Sequence, residues 1–179
     1  DGEQTSGVSF TEGEKLSIAQ LLLEELNIDR IEVASARVSD GEFASAKKIF
    51  DWANQNGYEG KVEVLGFVDG DISLKWIKDA GGKVDNLLCK GSLKHCEKQL
   101  RKTPAEHLAD IKNTIAIADN MGIEVNIYLE DWSHGMLDSP QYVYKIIEGL
   151  SDTSVKRIML PDTLGILNHR DTGKFCADM

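Results

Sequence analysis

Apolar residues along the chain follow two alternating patterns. Helical spacing, with apolar residues three or four positions apart, occurs in residues 11–26, 41–56, 72–80, 104–121 and 140–150. Short apolar runs lie between or after these segments, at residues 30–34, 61–68, 84–89, 123–129 and 155–160. A last helix is expected to start near residue 171. Strand and helix thus alternate through five strands, which predicts right-handed βαβ units and a parallel sheet.

Capping residues mark several of the predicted helix ends. Thr11 is followed three residues later by Glu14, which is a capping-box pattern. Thr103 precedes a proline at the first helical position, a place where the missing N–H costs nothing. Gly57 and Gly122 follow two of the segments and are suited to the left-handed conformation that ends helices.

Two architectures fit this alternation, a doubly wound open sheet and a (β/α)₈ barrel. None of the strand–helix junctions carries the GxGxxG turn of a dinucleotide-binding fold. A complete barrel needs roughly 250 residues, and this chain has 179. We therefore predict an α/β fold that is a partial (β/α)₈ TIM barrel, with the first strand and the last two β/α units missing. Residues 1–179 would then be a fragment of a catalytic barrel domain.

Composition narrows the range of partners and compartments. The net charge of −10 argues against binding to nucleic acid or to an anionic membrane. No apolar run approaches the ~20 residues of a membrane span. Cys89, Cys96 and Cys176 are odd in number and have no CxxC spacing, so reduced thiols of a cytoplasmic protein are expected and zinc bound through them is not.

Polar residues follow the predicted strands in a way that indicates a single site. Catalytic side chains of parallel barrels gather at the carboxyl ends of the strands, and carboxylate oxygens are preferred by hard divalent cations. The opening Asp1-Gly2-Glu3-Gln4 resembles another loop of this kind. The strand-end residues are Ser35, Arg37, Asp69, Lys90, Glu130, Asp131, Asp162 and Thr163.

The four histidines do not complete a metal site in the sequence. His95 and His107 are predicted to be solvated on helix or loop surfaces, and His169 to lie in a loop. His134 follows Glu130 closely enough to approach the site. There is no HExxH or HxH pair.

Several ordered motifs resemble those of the 2-isopropylmalate, homocitrate and citramalate synthase family. The chain opens on DGEQTSGVSF, which is similar to the end of that family's DTTLRDGEQ-type signature. RIEVASAR at residues 30–37, LGFVDG at 65–70 and LPDTLG at 160–165 follow in the same order. The resemblance covers essentially the whole chain.

The resemblance implies a TIM-barrel acyltransferase that condenses acetyl-CoA with a 2-oxo acid and then hydrolyses the thioester. It implies a divalent metal (Mg, Mn or Zn), with Asp1 as one ligand and an HxH pair beyond residue 179 as the others. It also assigns Glu130 to the acetyl proton and Thr163 to the carboxylate of the 2-oxo acid. Gln4 is a candidate polar support for substrate or for a water molecule on the metal. An isolated fragment of this kind is expected to be inactive, and the full-length protein to be a homodimer.

Side-chain bulk bears on the choice of 2-oxo acid. Many members of the family place a serine two residues before the glutamate, whereas this chain has Tyr128 before Glu130. Tyr128, with Leu65 and Leu88, would leave room for a methyl group but not for an isopropyl group. We therefore predict pyruvate as substrate and citramalate as product, in isoleucine biosynthesis. The runner-up is 2-isopropylmalate synthesis from 2-oxoisovalerate, in leucine biosynthesis.

Two other functions are compatible with the sequence. Hydroxymethylglutaryl-CoA lyase, which runs the reverse type of reaction, ranks third because its motifs match less well. A non-catalytic CoA-binding half-barrel is the alternative from a different functional class. The flanking sequence would separate these possibilities, since an enzyme needs an arginine just upstream and an HxH pair downstream.

Overall fold

The computed structural model describes residue 3 and residues 5–179, and within them strands and helices alternate as the sequence predicts. No helix among these residues has the length and apolar character needed to cross a membrane. The strands are β1 (Ile31–Ser35), β2 (Val62–Phe67), β3 (Val84–Lys90), β4 (Glu124–Glu130) and β5 (Ile158–Met159). The helices are α1 (Glu12–Gln20), α2 (Asp40–Asn56), α3 (Ile72–Ala80), α4 (Leu93–His95), α5 (Pro104–Met121), α6 (Trp132–Asp138), α7 (Pro140–Leu150) and α8 (His169–Asp178).

The five strands form one parallel sheet in the order β1-β2-β3-β4-β5. Each strand pairs with the next one in sequence, which is the order of a barrel wall and not that of a doubly wound sheet. The prediction of a barrel-type α/β fold is therefore confirmed. The β3–β4 pair is the longest, with its register running from Val84 opposite Glu124 to Lys90 opposite Glu130.

One face of the sheet is covered by helices and forms the apolar core. Burying a large aliphatic side chain contributes about 1.5–3 kcal/mol, so this layer provides most of the stability. The strand residues of the core include Val62, Val64, Leu87, Cys89, Ile127 and Leu129, and the helix residues include Ile49, Phe50, Leu74, Ile77, Ile111, Ile115 and Ile146.

The opposite face, here called the inner face, carries a polar layer near the amino-terminal ends of the strands. The Asn86 amide donates to Glu32 (2.7 Å) and Glu63 (3.0 Å), and Asn126 donates to the oxygen of Asn86 (2.9 Å). Arg157 donates to Glu63 at 2.9 Å. These side chains are hydrogen-bonded to each other, but the buried side-chain oxygen of Asn126 has no partner among the described residues.

Most of the predicted helix ends are confirmed. Capping boxes form at Thr11 with Glu14 and at Thr103 with Glu106. Gly57 and Gly122 end their helices with φ of 77° and 73°. The first predicted helix changes character near its end, where α1 continues as a π-helical segment, Leu21–Glu25.

Two helices were not predicted, and one strand is shorter than expected. α4 continues into a π-helical segment at Cys96–Leu100, and α6 follows β4 after a single residue. Gly135 of α6 lies so close to the carbonyl oxygen of Gly91 that a Cβ at that position would collide with it. This contact holds α6 against the end of β3 and gives Gly135 a packing role. β5 comprises only Ile158–Met159 instead of the predicted six residues.

Candidate functional site

Five of the predicted site residues line a single cavity on the inner face. This inner cavity has a volume of about 520 Å³ and is bordered also by Glu32, Ala34 and Ser35 of β1. It lies toward the carboxyl ends of the strands, above the polar layer. The predicted residues that line it are Leu65, Leu88, Tyr128, Glu130 and Thr163.

Strand alternation explains how these side chains meet. Leu88 lies opposite Tyr128 in the β3–β4 register, and Lys90 lies opposite Glu130 two residues later. Since side chains two residues apart point to the same face of a strand, all four share the inner face. Leu65 on β2 lies opposite Asn86 and completes the wall of the cavity.

Glu130 is paired with Lys90. The Lys90 ammonium contacts one Glu130 carboxylate oxygen directly, and their side chains are 15% and 30% exposed. The ion pair orients both side chains, and removing either one would leave the other charge without its partner. The sequence places Lys90 at a strand end, and its pairing with Glu130 follows from the register of β3 and β4, which only the structure gives.

Tyr128 contributes a neutral hydroxyl group to the inner cavity. Burial raises the pKa of Tyr128, and the negative charges of Glu32 and Glu130 act in the same direction. Burial also raises the pKa of Glu32, an effect that the nearby Glu63 reinforces and the Asn86 hydrogen bond opposes. The phenol therefore stays protonated at neutral pH and can donate a hydrogen bond.

Thr163 is tied to the end of β4. Its hydroxyl oxygen accepts a hydrogen bond from the backbone N–H of Asp131 at 3.1 Å. This bond leaves the hydroxyl hydrogen of Thr163 free to be donated to another group. The loop around Thr163 is organised by Asp162, whose carboxylate accepts from Ser133 (2.6 Å) and from the backbone N–H groups of Ile166 and Leu167. These bonds, that of Ser133 first, hold the pKa of Asp162 below its usual value.

A second cavity, the outer cavity, lies next to the first beyond the ends of β3 and β4. It measures about 600 Å³ and shares Glu130 and Thr163 with the inner cavity. Its other lining side chains include Ser92, Lys94, His95, Asp131 and His134. A ligand that extends from one cavity into the other would therefore pass Glu130 and Thr163.

Asp131 is the most heavily bonded residue of the outer cavity. One carboxylate oxygen accepts the Ser92 hydroxyl at 2.6 Å, and the other lies 2.7 Å from Nδ1 of His134. Nε2 of His95 is 3.4 Å from the same oxygen that Ser92 contacts. Burial acts to raise the pKa of Asp131, but the hydrogen bonds of Ser92 and His134 and the charges of both histidines outweigh it and lower the pKa.

The histidines differ in part from the sequence prediction. His107 was predicted to be solvated, which is wrong: it is 1% exposed, and its Nε2 accepts the backbone N–H of Lys90 at 3.1 Å. The apolar surface of α5 includes position 107, so helical periodicity alone could have flagged its burial. His95 is also partly buried instead of solvated. His169 is exposed, at the start of α8.

Two predicted residues cannot be located. Asp1, the candidate metal ligand, and Gln4, the candidate substrate support, lie outside the described residues. Within residues 3 and 5–179, no group of three or more His, Cys, Asp or Glu side chains is arranged to hold a metal ion. The donor set of the described chain therefore does not amount to a metal site.

The remaining strand-end residues form a separate cluster. Arg37, which has a left-handed backbone with φ of 66°, donates to Asp69 at 2.6 Å. Asp69 also accepts from the backbone and hydroxyl of Ser73 in the first turn of α3, at 3.0 and 2.7 Å. These bonds join the loops that follow β1 and β2, which is a structural role at the rim.

Comparisons with known proteins identify the family of the chain. The model of the HMGL-like family matches residues 1–179. A 2-isopropylmalate synthase of Polaromonas naphthalenivorans is 31% identical over 181 residues, and a candidate (R)-citramalate synthase of Methanopyrus kandleri is 29% identical over 167 residues. The match covers 100% and 93% of this chain, and 34% and 31% of those two proteins. The chain thus spans about a third of the length of these curated relatives.

A solved structure supports the fold. Hydroxymethylglutaryl-CoA lyase from Pseudomonas aeruginosa superimposes with a TM-score of 0.75 at 17% identity. The superposition covers 99% of this chain and 59% of the lyase. At this identity the likeness concerns the fold, and it agrees with a five-stranded part of a barrel.

Proposed function

The chain belongs to the HMGL-like family, and on that premise we propose that it is part of an acyltransferase that condenses acetyl-CoA with a 2-oxo acid. The observation that supports this most strongly is the meeting of Leu65, Leu88, Tyr128, Glu130 and Thr163 around the inner cavity. Their common location is what such a reaction requires.

Each side chain has a role in the proposed reaction. Glu130 accepts a proton from the methyl group of acetyl-CoA, and the resulting carbanion carbon forms a bond to the keto carbon of the 2-oxo acid. The carbon–oxygen π bond of the keto group breaks at the same time, and its oxygen takes up a proton to become the hydroxyl group. Lys90 holds the Glu130 carboxylate in place through their ion pair. Thr163 donates its hydroxyl hydrogen to the carboxylate of the 2-oxo acid. Hydrolysis of the thioester then releases CoA.

A divalent cation is part of the proposal only through the family resemblance. Asp1 is its candidate ligand and lies outside the described residues. Because the described donors do not fit a metal ion, no step is assigned to one. Assembly as a homodimer likewise stays a prediction.

Pyruvate is the preferred 2-oxo acid in this proposal. Tyr128, Leu65 and Leu88 occupy the inner cavity with bulky side chains, which favours a methyl substituent over an isopropyl group. 2-Oxoisovalerate is the second candidate, and the identity of 31% to a 2-isopropylmalate synthase favours it. Either substrate uses the same chemistry at Glu130.

The test is product formation by the full-length protein that contains this chain. With acetyl-CoA and pyruvate, mass spectrometry should detect citramalate, and a thiol reagent should detect free CoA. Glu130→Gln keeps the size of the side chain but cannot accept the proton. It should lower kcat by at least ~10²-fold, the usual contribution of a general base.

Glu148→Gln is the matched control, because Glu148 is an exposed residue of α7 that lines neither cavity. Its kcat should equal that of the wild type. Full activity of the Glu130→Gln protein would rule out Glu130 as the base. A wild-type protein that condenses acetyl-CoA with neither 2-oxo acid would refute the proposed function.

A further inference from the structure

Asp131 and His134 form a carboxylate–imidazole pair at the outer cavity. Their side chains are 2.7 Å apart at Nδ1 and Oδ1, and they are 6% and 36% exposed, respectively. The buried carboxylate is held from its other side by the Ser92 hydroxyl. The pair therefore joins a fixed acceptor to an imidazole that solvent and ligands can reach.

The partner of Nδ1 sets the tautomer of His134. Asp131 has a pKa below its ordinary value, so it is a carboxylate at neutral pH and can only accept. Nδ1 of a neutral His134 must then carry the hydrogen, which leaves the lone pair on Nε2. In the described part of the chain, Nε2 makes no hydrogen bond to protein. This is the arrangement of a general base oriented by a carboxylate.

His134 and Glu130 are suited to different steps. Glu130 borders both cavities and is occupied by the ion pair with Lys90, whereas His134 borders only the outer cavity. In the condensation product, the thioester carbonyl carbon is bonded directly to the CH2 carbon of the newly formed carbon–carbon bond, so it stays near Glu130, which both cavities share. Water that enters from the outer cavity would reach that carbonyl on the His134 side.

We propose that His134 is the general base for thioester hydrolysis, an inference that rests on the proposed function. The oxygen of a water molecule bonds to the thioester carbonyl carbon while one water proton passes to Nε2. Collapse of the adduct breaks the carbon–sulfur bond, and the departing sulfur takes the proton back from the imidazolium. The products are the hydroxy dicarboxylate, CoA thiol and one proton released to solvent. Asp131 is the positioning residue for His134.

His95 makes a useful contrast in the same cavity. Its Nδ1 is buried without a partner among the described residues, and its Nε2 faces Asp131 at 3.4 Å. Neither ring nitrogen is therefore placed to activate water in the outer cavity.

The experiment separates the two chemical steps in the full-length protein. In a quenched single turnover with acetyl-CoA and pyruvate, His134→Gln should form the hydroxyacyl-CoA thioester and retain it. Free CoA should appear about 10²-fold to 10⁴-fold more slowly than in the wild type, the range expected for loss of a general base. His169→Gln, an exposed histidine at the start of α8, is the matched control and should release CoA at the wild-type rate.

A second experiment supplies the hydroxyacyl-CoA thioester, prepared chemically, directly to the protein. It measures hydrolysis alone, so the result does not depend on how well the variant catalyses condensation. The wild type should hydrolyse it and His134→Gln should not. Added imidazole should restore hydrolysis in His134→Ala, which loss of a purely structural contact would not allow. Hydrolysis of the prepared thioester by His134→Gln at the wild-type rate, or no rescue by imidazole, would overturn the inference alone. A wild type that never forms the carbon–carbon bond would instead overturn the proposed function.

Discussion

Lys90 and Glu130 occupy equivalent positions at the ends of two neighbouring parallel strands. Their register places both side chains on the inner face, and their charges neutralise each other where solvent is limited. A strand-end carboxylate that would otherwise point freely into a cavity thereby acquires a defined position. This pairing gives the proposed base a fixed orientation before substrate binds.

Asp85 is a buried acid that neither the cavities nor the polar layer uses. It lies on the helix-facing side of β3 with 0% exposure, and within the described residues neither carboxyl oxygen has a hydrogen-bond partner. Gly66 on the neighbouring strand makes room for it, since a Cβ there would collide with the carboxyl group. Burial, with the charges of Asp69 and Glu32, raises the pKa of Asp85 to about 8.

This raised pKa predicts how stability depends on pH. The unfolded chain ionises Asp85 near 3.8, whereas the folded protein keeps it protonated up to about 8. Stability should therefore fall as pH rises through this window, by roughly 6 kcal/mol at most, since each unit of pKa difference is worth about 1.4 kcal/mol. Asp85→Asn removes the ionisation. Urea unfolding at pH 5 and pH 8.5 should show the variant gaining stability over the wild type at the higher pH.

Asp79→Asn serves as the control for this measurement, because Asp79 is exposed on α3. Its stability difference from the wild type should not change with pH. If the difference in unfolding free energy between Asp85→Asn and the wild type is the same at both pH values, Asp85 is not a protonated buried acid.

At the level of single residues, the sequence identified the cavity-lining set but not its internal contacts. Glu130, Thr163 and Tyr128 were identifiable because they follow or end apolar runs in recognisable motifs. The Lys90 ion pair depends on the relative register of β3 and β4, and the Asp131–His134 contact depends on a turn of the backbone at Asp131, whose φ is 65°. Neither register nor this rare backbone conformation is encoded by periodicity.

Among the structural elements, α5 and α7 together hold the end of β3. His107 of α5 accepts the backbone N–H of Lys90, and the hydroxyl of Tyr142 of α7 donates to the Lys90 carbonyl at 2.9 Å. Both backbone groups of the residue that carries the ion-pair ammonium are therefore satisfied by helices. Displacement of either helix would move Lys90 and, through it, Glu130.

His107 predicts an acid-sensitive contact between α5 and β3. Burial, aided by the positive charge of Lys102, lowers the pKa of His107 to about 4, whereas an unfolded histidine titrates near 6.5. The stability that depends on a neutral His107 is present above pH 6.5 and is lost as pH falls toward 4, by up to ~3 kcal/mol. His107→Gln should show a smaller loss of unfolding free energy than the wild type between pH 7.5 and pH 5.

The control for this comparison is His169→Gln, since His169 is exposed. That variant should lose as much stability as the wild type over the same pH interval. An identical pH dependence for His107→Gln and the wild type would show that His107 is protonated as readily in the folded protein as in the unfolded chain.

The sequence predicted the regular elements well and the short ones poorly. Helices α2, α3, α5 and α7 have an apolar periodicity over nine residues or more and are bounded by caps, glycine or proline. α4 has three residues and α6 has seven, which is too few for a repeating pattern, and both depend on packing at the ends of β3 and β4. Short helices of this kind are set by tertiary contacts and not by local sequence.

At the level of the whole molecule, two adjacent cavities meet at Glu130 and Thr163. The proposed reaction has two stages, carbon–carbon bond formation and thioester hydrolysis. The inner cavity offers the groups suited to the first stage, and the outer cavity offers the Asp131–His134 pair suited to the second. In the proposed reaction the two steps therefore use different bases, Glu130 at the end of β4 and His134 in α6.

The central claim concerns the substrate: the protein is proposed to prefer pyruvate to 2-oxoisovalerate. Relatives with similar identity carry the names of 2-isopropylmalate and citramalate synthases, so family membership does not select the substrate. The bulk of Tyr128 in the inner cavity does bear on it. The two substrates differ by two methyl groups, and each such group in an apolar pocket is worth about 1–3 kcal/mol, or roughly 10-fold to 200-fold in kcat/KM.

The most direct test is the ratio of kcat/KM for pyruvate to that for 2-oxoisovalerate, measured by CoA release from the full-length protein and from its Tyr128→Ser variant. The wild type should prefer pyruvate by about 10-fold or more, and the variant should lower this ratio by a similar factor because the pocket is enlarged. A wild type that prefers 2-oxoisovalerate, or a ratio that Tyr128→Ser leaves unchanged, would contradict the account.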